Sequence, residues 1–288
     1  MINLFYEKSY WGGAKTMSGP AKVIHNLKES LEQEKIPYAI NEEKYKNNFL
    51  VQYDYNAYLK HSKLTLENCV IGPQIWMFDS HVSELKENTH YYKSIITPSQ
   101  WVKDLYVSKF GYPEDKISVW PVGITLPEYK REKKYGCLVY YKRRDQAELD
   151  KVRSFLAERK ITYNVMEYGN YSQNALEILA PESEFCFVLN GTESQGIAIQ
   201  EIMSYNTPMF VWDIESWDDQ GSEWSVPATS IPYWSPECGE RFVNVDQMEK
   251  KFDQFYVKLG GYNPRKYVED NLSYKKSIEK LLEIFNVN

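Results

Sequence analysis

Residues 185–213 constrain the fold of this chain more than any other stretch. Phe185-Cys186-Phe187-Val188-Leu189 is a continuous apolar run, short and β-rich, with the composition of a buried strand. A polar loop follows, and then Ile197, Ile199, Ile202 and Met203 recur at helical spacing. Asn206 suits the left-handed residue that ends a helix, and Pro208 cannot continue one. Met209 to Trp212 reads as the next strand. Strand, loop, helix and strand in this order predict a parallel α/β unit.

Two carboxylates, Glu193 in the loop and Glu201 in the helix, stand eight positions apart. The loop ends at a helix N-terminus, where free N–H groups and the helix dipole favour an anion. Gly196 lets a ligand approach the backbone closely. Eight residues at a rise of ~1.5 Å span roughly 12 Å, about the reach from a sugar ring past a diphosphate to a ribose. One carboxylate would then accept hydrogen bonds from sugar hydroxyls and the other from ribose hydroxyls. The plain alternative is a helix cap and a solvated helix residue.

The stretch Glu193-Ser194-Gln195-Gly196-Ile197, continued through Glu201-Ile202-Met203-Ser204-Tyr205-Asn206-Thr207-Pro208, resembles the Glu-x7-Glu signature of retaining glycosyltransferases of the GT-B fold, family 4 in particular. Ser194-Gln195-Gly196-Ile197 stands at that family's glycine-rich turn, and Asn206 where the family usually has Gly. The resemblance implies two Rossmann-like domains facing a central cleft. It also implies donor binding by Thr192, Ser194, Gln195, Gly196, Ile197 and Glu201, with Glu193 catalytic at the transferred sugar.

The N-terminal segment fits this frame. Met1 to Tyr6 reads as a strand. Trp11-Gly12-Gly13 and Met17-Ser18-Gly19-Pro20 form a glycine-bearing loop, and Ala21 to about Glu34 forms an amphipathic helix with Val23, Ile24, Leu27 and Leu31 on one face. The dinucleotide spacing Gly-x-Gly-x-x-Gly is absent. Ser18-Gly19-Pro20-Ala21 with Asn26-Leu27 is instead similar to the family's opening loop, which implies that Gly13, Ser18 and Gly19 lie near the donor phosphates; an ordinary tight turn is the alternative. Cys69 to Gln74 reads as a strand, with Trp76 to His81 directly after it. His81 takes the place of the family's donor-sugar histidine, or is an ordinary surface residue. Tyr92 to Thr97 is expected as a strand and Ser99 as the N-cap of the next helix. Pro98-Ser99-Gln100-Trp101-Val102, followed by Pro121-Val122-Gly123-Ile124, is similar to the block that ends the family's first domain.

Gly136 to Tyr141 is an apolar strand running into Lys142, Arg143 and Arg144. Cations at the carboxyl end of a parallel strand lie where α/β sheets bind ligands, and they could neutralise a departing diphosphate. The resemblance implies two such cations several residues apart. Here three are adjacent, so Lys142 and Arg143 are catalytic candidates and Arg144 a donor contact, with solvated loop charges as the alternative. A helix is expected from Gln146 to Arg159, a strand from Thr162 to Tyr168 with Tyr168 free to stack on a base, and a helix from Ser172 to Ala180. Residues beyond Asp213 read as loop-rich, with Asp213, Ser230 and Tyr233 possible cleft residues. Two amphipathic helices end the chain. The expected division is 1–128, 129–270, and a helix at 271–288 crossing back to the first domain.

With 288 residues, 43% of them hydrophobic, the chain can bury one large core or two modest ones. A formal charge of −6 argues against nucleic acid as a partner. Tyr and Trp number 24 and 8; most are expected in the core, although such rings also suit sugars. Cys69, Cys137, Cys186 and Cys238 lack metal-ligand spacing, and no 18-residue apolar segment or leader is seen. These features predict a cytoplasmic protein without a transmembrane segment. No cofactor or metal is expected, because GT-B enzymes lack the Asp-x-Asp metal site and Asp218-Asp219 is discounted on that ground. The expected partners are a nucleotide-diphosphate-sugar donor and a glycan or other hydroxyl acceptor. A nucleotide-sugar epimerase of the same fold and a non-catalytic glycan-binding protein stay open beside it. No motif encodes the base, the sugar, the acceptor or the oligomeric state.

Overall fold

Parallel strands covered by helices on both faces lose the in–out alternation of exposed sheets and become apolar throughout. Phe185–Asn190 is buried at every position, and so are Ile2–Phe5, Asn48–Val51 and Cys69–Gly72. The computed structural model describes residues 1–6, 19–42, 44–51, 68–73, 86–87, 92–128, 135–218 and 225–286.

The first unit contains β1 (Ile2–Phe5), α1 (Gly19–Gln33), β2 (Tyr38–Ile40), β3 (Asn48–Val51), β4 (Cys69–Gly72), β5 (Ser94–Thr97), α2 (Gln100–Ser108) and β6 (Ile117–Val119). Its strands form one parallel sheet in the order β2-β1-β3-β4-β5-β6. Ser99 occupies the N-cap position of α2, yet its hydroxyl makes no cap bond and, buried, has no partner among the described residues. The position was legible and the expected hydrogen bond was not made.

The second unit contains β7 (Cys137–Lys142), α3 (Gln146–Glu158), β8 (Tyr163–Glu167), α4 (Gln173–Glu182), β9 (Phe185–Asn190), α5 (Ile197–Ser204), β10 (Met209–Trp212), β11 (Ser216–Asp218), β12 (Ser225–Pro227) and β13 (Gly239–Phe242). Its parallel sheet runs β13-β10-β9-β7-β8. Strand order reverses between β7 and β9, and a doubly wound sheet binds ligands at the carboxyl ends of the strands flanking that reversal. Those ends are Lys142 and Asn190. Much of the aromatic content fills the core of this unit: Phe187 and Phe210 meet edge to face at 5.1 Å, as do Phe155 and Phe252 at 5.0 Å.

Three helices follow: α6 (Met248–Val257), α7 (Pro264–Leu272) and α8 (Tyr274–Phe285). Asn263 caps α7 by accepting from Lys266 N–H, with Pro264 at the first helical position. The apolar face of α8 packs on the first unit, where Ile278, Leu281 and Phe285 join Val23, Leu27 and Leu31 of α1. The Trp120 indole N–H donates to Ser277 O at 2.9 Å, and the Ser277 hydroxyl donates to Pro121 O at 2.9 Å.

Sequence patterning did not yield β2, β13, α6 or the antiparallel pair β11–β12, which falls in the stretch read as loop. Short strands carry too few residues for a periodic signal. The β11–β12 pair draws its burial from the other unit: Val226 and Ala228 lie in one core cluster with Trp101 and Leu105 of α2, and Trp217 packs against it.

Neutral hydrogen bonds join the two units around the loop that leaves β9. The Gln195 side chain accepts from Val122 N–H at 3.0 Å and donates to Val122 O at 2.9 Å, pairing as a neighbouring strand would. The Trp101 indole N–H donates to Glu193 O at 2.8 Å, and the Tyr233 hydroxyl donates to Pro98 O at 2.6 Å. Removing the Gln195 amide leaves two backbone groups of Val122 unpaired in a buried setting. Gln195→Ala should therefore lower unfolding free energy by roughly 1–3 kcal/mol, read from urea denaturation. Leu281→Ala should cost roughly 2–5 kcal/mol and should loosen the first unit, seen as faster amide exchange in α1; protection of α1 equal to the parent would refute the role given to α8.

Candidate functional site

The loop after β9 returns over the end of β7 because Gly191 lets it. A Cβ on Gly191 would lie 2.7 Å from Arg143 O, closer than side chains tolerate, and Gly191 N–H donates to Lys142 O at 2.9 Å. The loop is then fixed from below. Asp213, at the end of β10, accepts from Ser230 N–H at 2.7 Å and from the Thr229 hydroxyl at 2.9 Å. The Ser230 hydroxyl donates to Asn190 O at 2.7 Å, and Glu193 N–H donates to Thr229 O at 3.2 Å. Asp213 and Ser230 thus brace the loop, and Tyr233 serves the junction between units.

This bracing presents Glu193, 6% exposed, at the strand ends. Its Oε1 accepts from Lys142 Nζ at 2.7 Å and from Asn190 Nδ2 at 2.9 Å. Its Oε2 has no hydrogen-bond donor among the described residues. The Lys142 ammonium also lies 4.4 Å from the centre of the Tyr168 ring. Next, Gly196 takes the left-handed conformation (φ 83°), which turns the chain into α5 and leaves the first N–H groups of that helix without intrahelical partners.

These features line one cleft of about 260 Å³ between the units. From the first unit come Gly19, Pro20, Lys22, Val23 and Trp101; from the second come Lys142, Arg143, Tyr168 and Glu193. Thr192, Ser194, Gln195, Gly196 and Ile197 complete the floor. Tyr140 and Tyr171 line it as well, and sequence reasoning missed both. Burial pushes both phenols up, with the charge of Glu193 adding to the effect on each, so both are neutral hydrogen-bonding groups. Tyr140 and Tyr141, side by side at the end of the apolar run of β7, were the available signal for Tyr140.

Three of the expected donor-site residues are engaged by partners within the chain. Arg144 does not line the cleft. Its guanidinium makes a two-pronged ion pair with Glu148 at 2.6 and 2.7 Å and lies 5.0 Å from the Trp212 ring centre, which lowers the Glu148 carboxyl below its usual range. Arg143 adopts a left-handed conformation (φ 51°), and the sharp turn sends successive side chains to different places. Gln195 lines the cleft, but its amide is committed to Val122 and Gln200. Glu201 faces a second hollow of about 350 Å³, where its Oε2 is 2.5 Å from Lys22 Nζ and its Oε1 accepts from Gln173 Nε2 at 3.4 Å. Gly13, Ser18 and His81, expected at the donor site, lie outside the described residues, as does Asp219.

Among the described residues no group of three His, Cys, Asp or Glu side chains is placed to hold a metal ion, and no helix is long and apolar enough to cross a membrane. All four cysteines are free and buried.

No protein-family model and no curated protein matches the chain. Solved structures do. Sucrose-phosphate synthase from Thermosynechococcus elongatus superposes with a TM-score of 0.62 at 10% identity, covering 99% of this chain and 98% of that one. HepE from Anabaena, solved in complex with UDP and glucose, gives 0.59 at 10% identity over 99% of both chains. TarM of S. aureus gives 0.55 at 13% identity over 92% of this chain, which spans 58% of TarM's length. At such identities the likeness speaks for architecture, and the architecture is the GT-B fold of glycosyltransferases, two Rossmann-like units facing one cleft.

Proposed function

We propose that this protein is a glycosyltransferase that moves a sugar from a nucleoside-diphosphate donor to an acceptor hydroxyl with retention of anomeric configuration. The observation that carries the reading is Glu193, held by Lys142 and Asn190 through one oxygen with the other open among the described residues, beside a helix N-terminus and at the switch point of the second sheet. In this reading the first unit, 1–128, supplies the acceptor side and the second, 129–270, the donor side. In this reading the helix expected at the end of the chain goes with the first unit, and the packing of α8 on α1 supports it.

Each group then has a chemical task. The open oxygen of Glu193 accepts hydrogen bonds from hydroxyls of the transferred sugar. Backbone N–H groups at 196–198 receive the diphosphate, where the helix dipole favours an anion. Lys142 and Arg143 neutralise the charge that grows on the leaving group as the anomeric C–O bond breaks. The acceptor oxygen bonds to the anomeric carbon on the same face, and its proton passes to the departing diphosphate. Glu201 accepts from the ribose hydroxyls. This scheme calls for no protein base and no metal. The neighbours support it in kind: HepE was solved with UDP and glucose, and TarM with UDP.

The test is a thermal-shift screen against UDP, GDP, ADP and their sugar conjugates, followed by assay of diphosphate release and of product configuration by NMR. One diphosphate and its sugar conjugate should raise the melting temperature, and the product should keep the donor's configuration. Glu193→Gln and Lys142→Met should each cut turnover by roughly 100-fold or more, with Glu193→Gln melting close to the parent. Near-normal turnover in Glu193→Gln would sink the assignment. An epimerised nucleotide-sugar formed without acceptor would select an epimerase, and binding of glycan with no nucleotide affinity would select a binding protein.

A further inference from the structure

Lys22 is shared by the two hollows: it lines both the cleft and the neighbouring cavity that holds Glu201. It stands in the first turn of α1 and is buried, with 8% of the residue exposed. Its ammonium carries three donors. Among the described residues its one hydrogen-bond partner is Glu201 Oε2, at 2.5 Å. Desolvating two charges costs more than a single ion pair readily offsets, so a buried pair is weak evidence of a stabilising role. The two units are in any case already joined by the neutral contacts of Gln195, Trp101 and Tyr233. What sets the Lys22–Glu201 pair apart is its place. It stands on the wall between the α5 N-terminus with Lys142 and Arg143 on one side, and Glu201 with Gln173 on the other.

We propose that Lys22 is a diphosphate-binding cation supplied across the cleft by the first unit, and that its ion pair with Glu201 is the ligand-free arrangement that nucleotide binding exchanges. Glu201 passes to the ribose hydroxyls, and the released ammonium passes to a phosphate oxygen. The inference rests on the donor reading given above. Glu201 and a diphosphate in adjoining hollows repel one another, and a cation on the wall between them removes that repulsion. Among the described residues lining the second hollow, Lys22 is the one lysine or arginine. Lys142 and Arg143 approach the same anion from the second sheet, so the leaving group would be flanked by cations from both units. Sequence reasoning sought every cation at 142–144 and missed this one, because Lys22 lies in an amphipathic helix where a lysine reads as solvated.

The experiment is calorimetry, with ligand-observed NMR for weak binders, using UDP, GDP, ADP and the matching nucleosides on the parent chain, Lys22→Met and Lys22→Arg. In Lys22→Met the diphosphate that binds the parent should lose roughly ten- to hundredfold in affinity. The nucleoside should bind as well as before or better, since Glu201 is freed. Lys22→Arg should restore most of the diphosphate affinity. An unchanged ratio of diphosphate to nucleoside affinity in Lys22→Met, whether both weaken, both tighten or neither moves, would overturn the proposal. If Lys22→Met does not fold by circular dichroism, Lys22→Gln carries the same comparison. Failure of the parent to bind any diphosphate would instead refute the donor reading, and it would be seen before any variant is made.

Discussion

The carboxylate of Glu193 is the point on which the geometry of the site turns, and its placement depends on both units at once. Lys142 and Asn190 hold one oxygen from the ends of β7 and β9, while Trp101 of the first unit holds the backbone carbonyl. Thr229 takes the backbone N–H. The loop is therefore tied from both units at the strand ends that line the cleft. Its floor is a helix N-terminus whose free N–H groups are fixed by the fold.

The junction between the units follows a different logic. Its contacts at Gln195–Val122, Trp101–Glu193 and Tyr233–Pro98 are neutral and directional, and two of them use backbone groups of the loop or of the segment after β6. The β11–β12 pair adds apolar burial against α2, and α8 returns from the second unit to cover α1. Against this neutral frame the Lys22–Glu201 pair is, among the described residues, the charged link. Its members meet where the two hollows adjoin.

Much of the fold was legible because parallel strands buried on both faces leave continuous apolar runs. The runs at 185–189, 209–212 and 136–141 became β9, β10 and β7. The left-handed Asn206 (φ 58°) ends α5 where the Asn-Thr-Pro run predicted a stop. The elements that escaped were short or took their burial from elsewhere, as β2 and β11–β12 did. Around the cleft, residue types were readable but side-chain commitments were not. Arg144 goes to Glu148 and Trp212, Gln195 to Val122, and Ser99 makes no cap bond at all.

The sequence by itself determined the succession of strands and helices, the acidic pair at 193 and 201, the cations at 142–144 and the glycine that turns the chain into α5. These are local: each depends on residues within about ten positions of one another. Only the tertiary structure decided which cation meets Glu193, which partner Gln195 takes and that Lys22 reaches Glu201 across 179 positions. Such pairings depend on how two separately folded sheets are docked. Docking is set by shape and by hydrogen bonds between distant segments, and these leave no periodic trace in the chain.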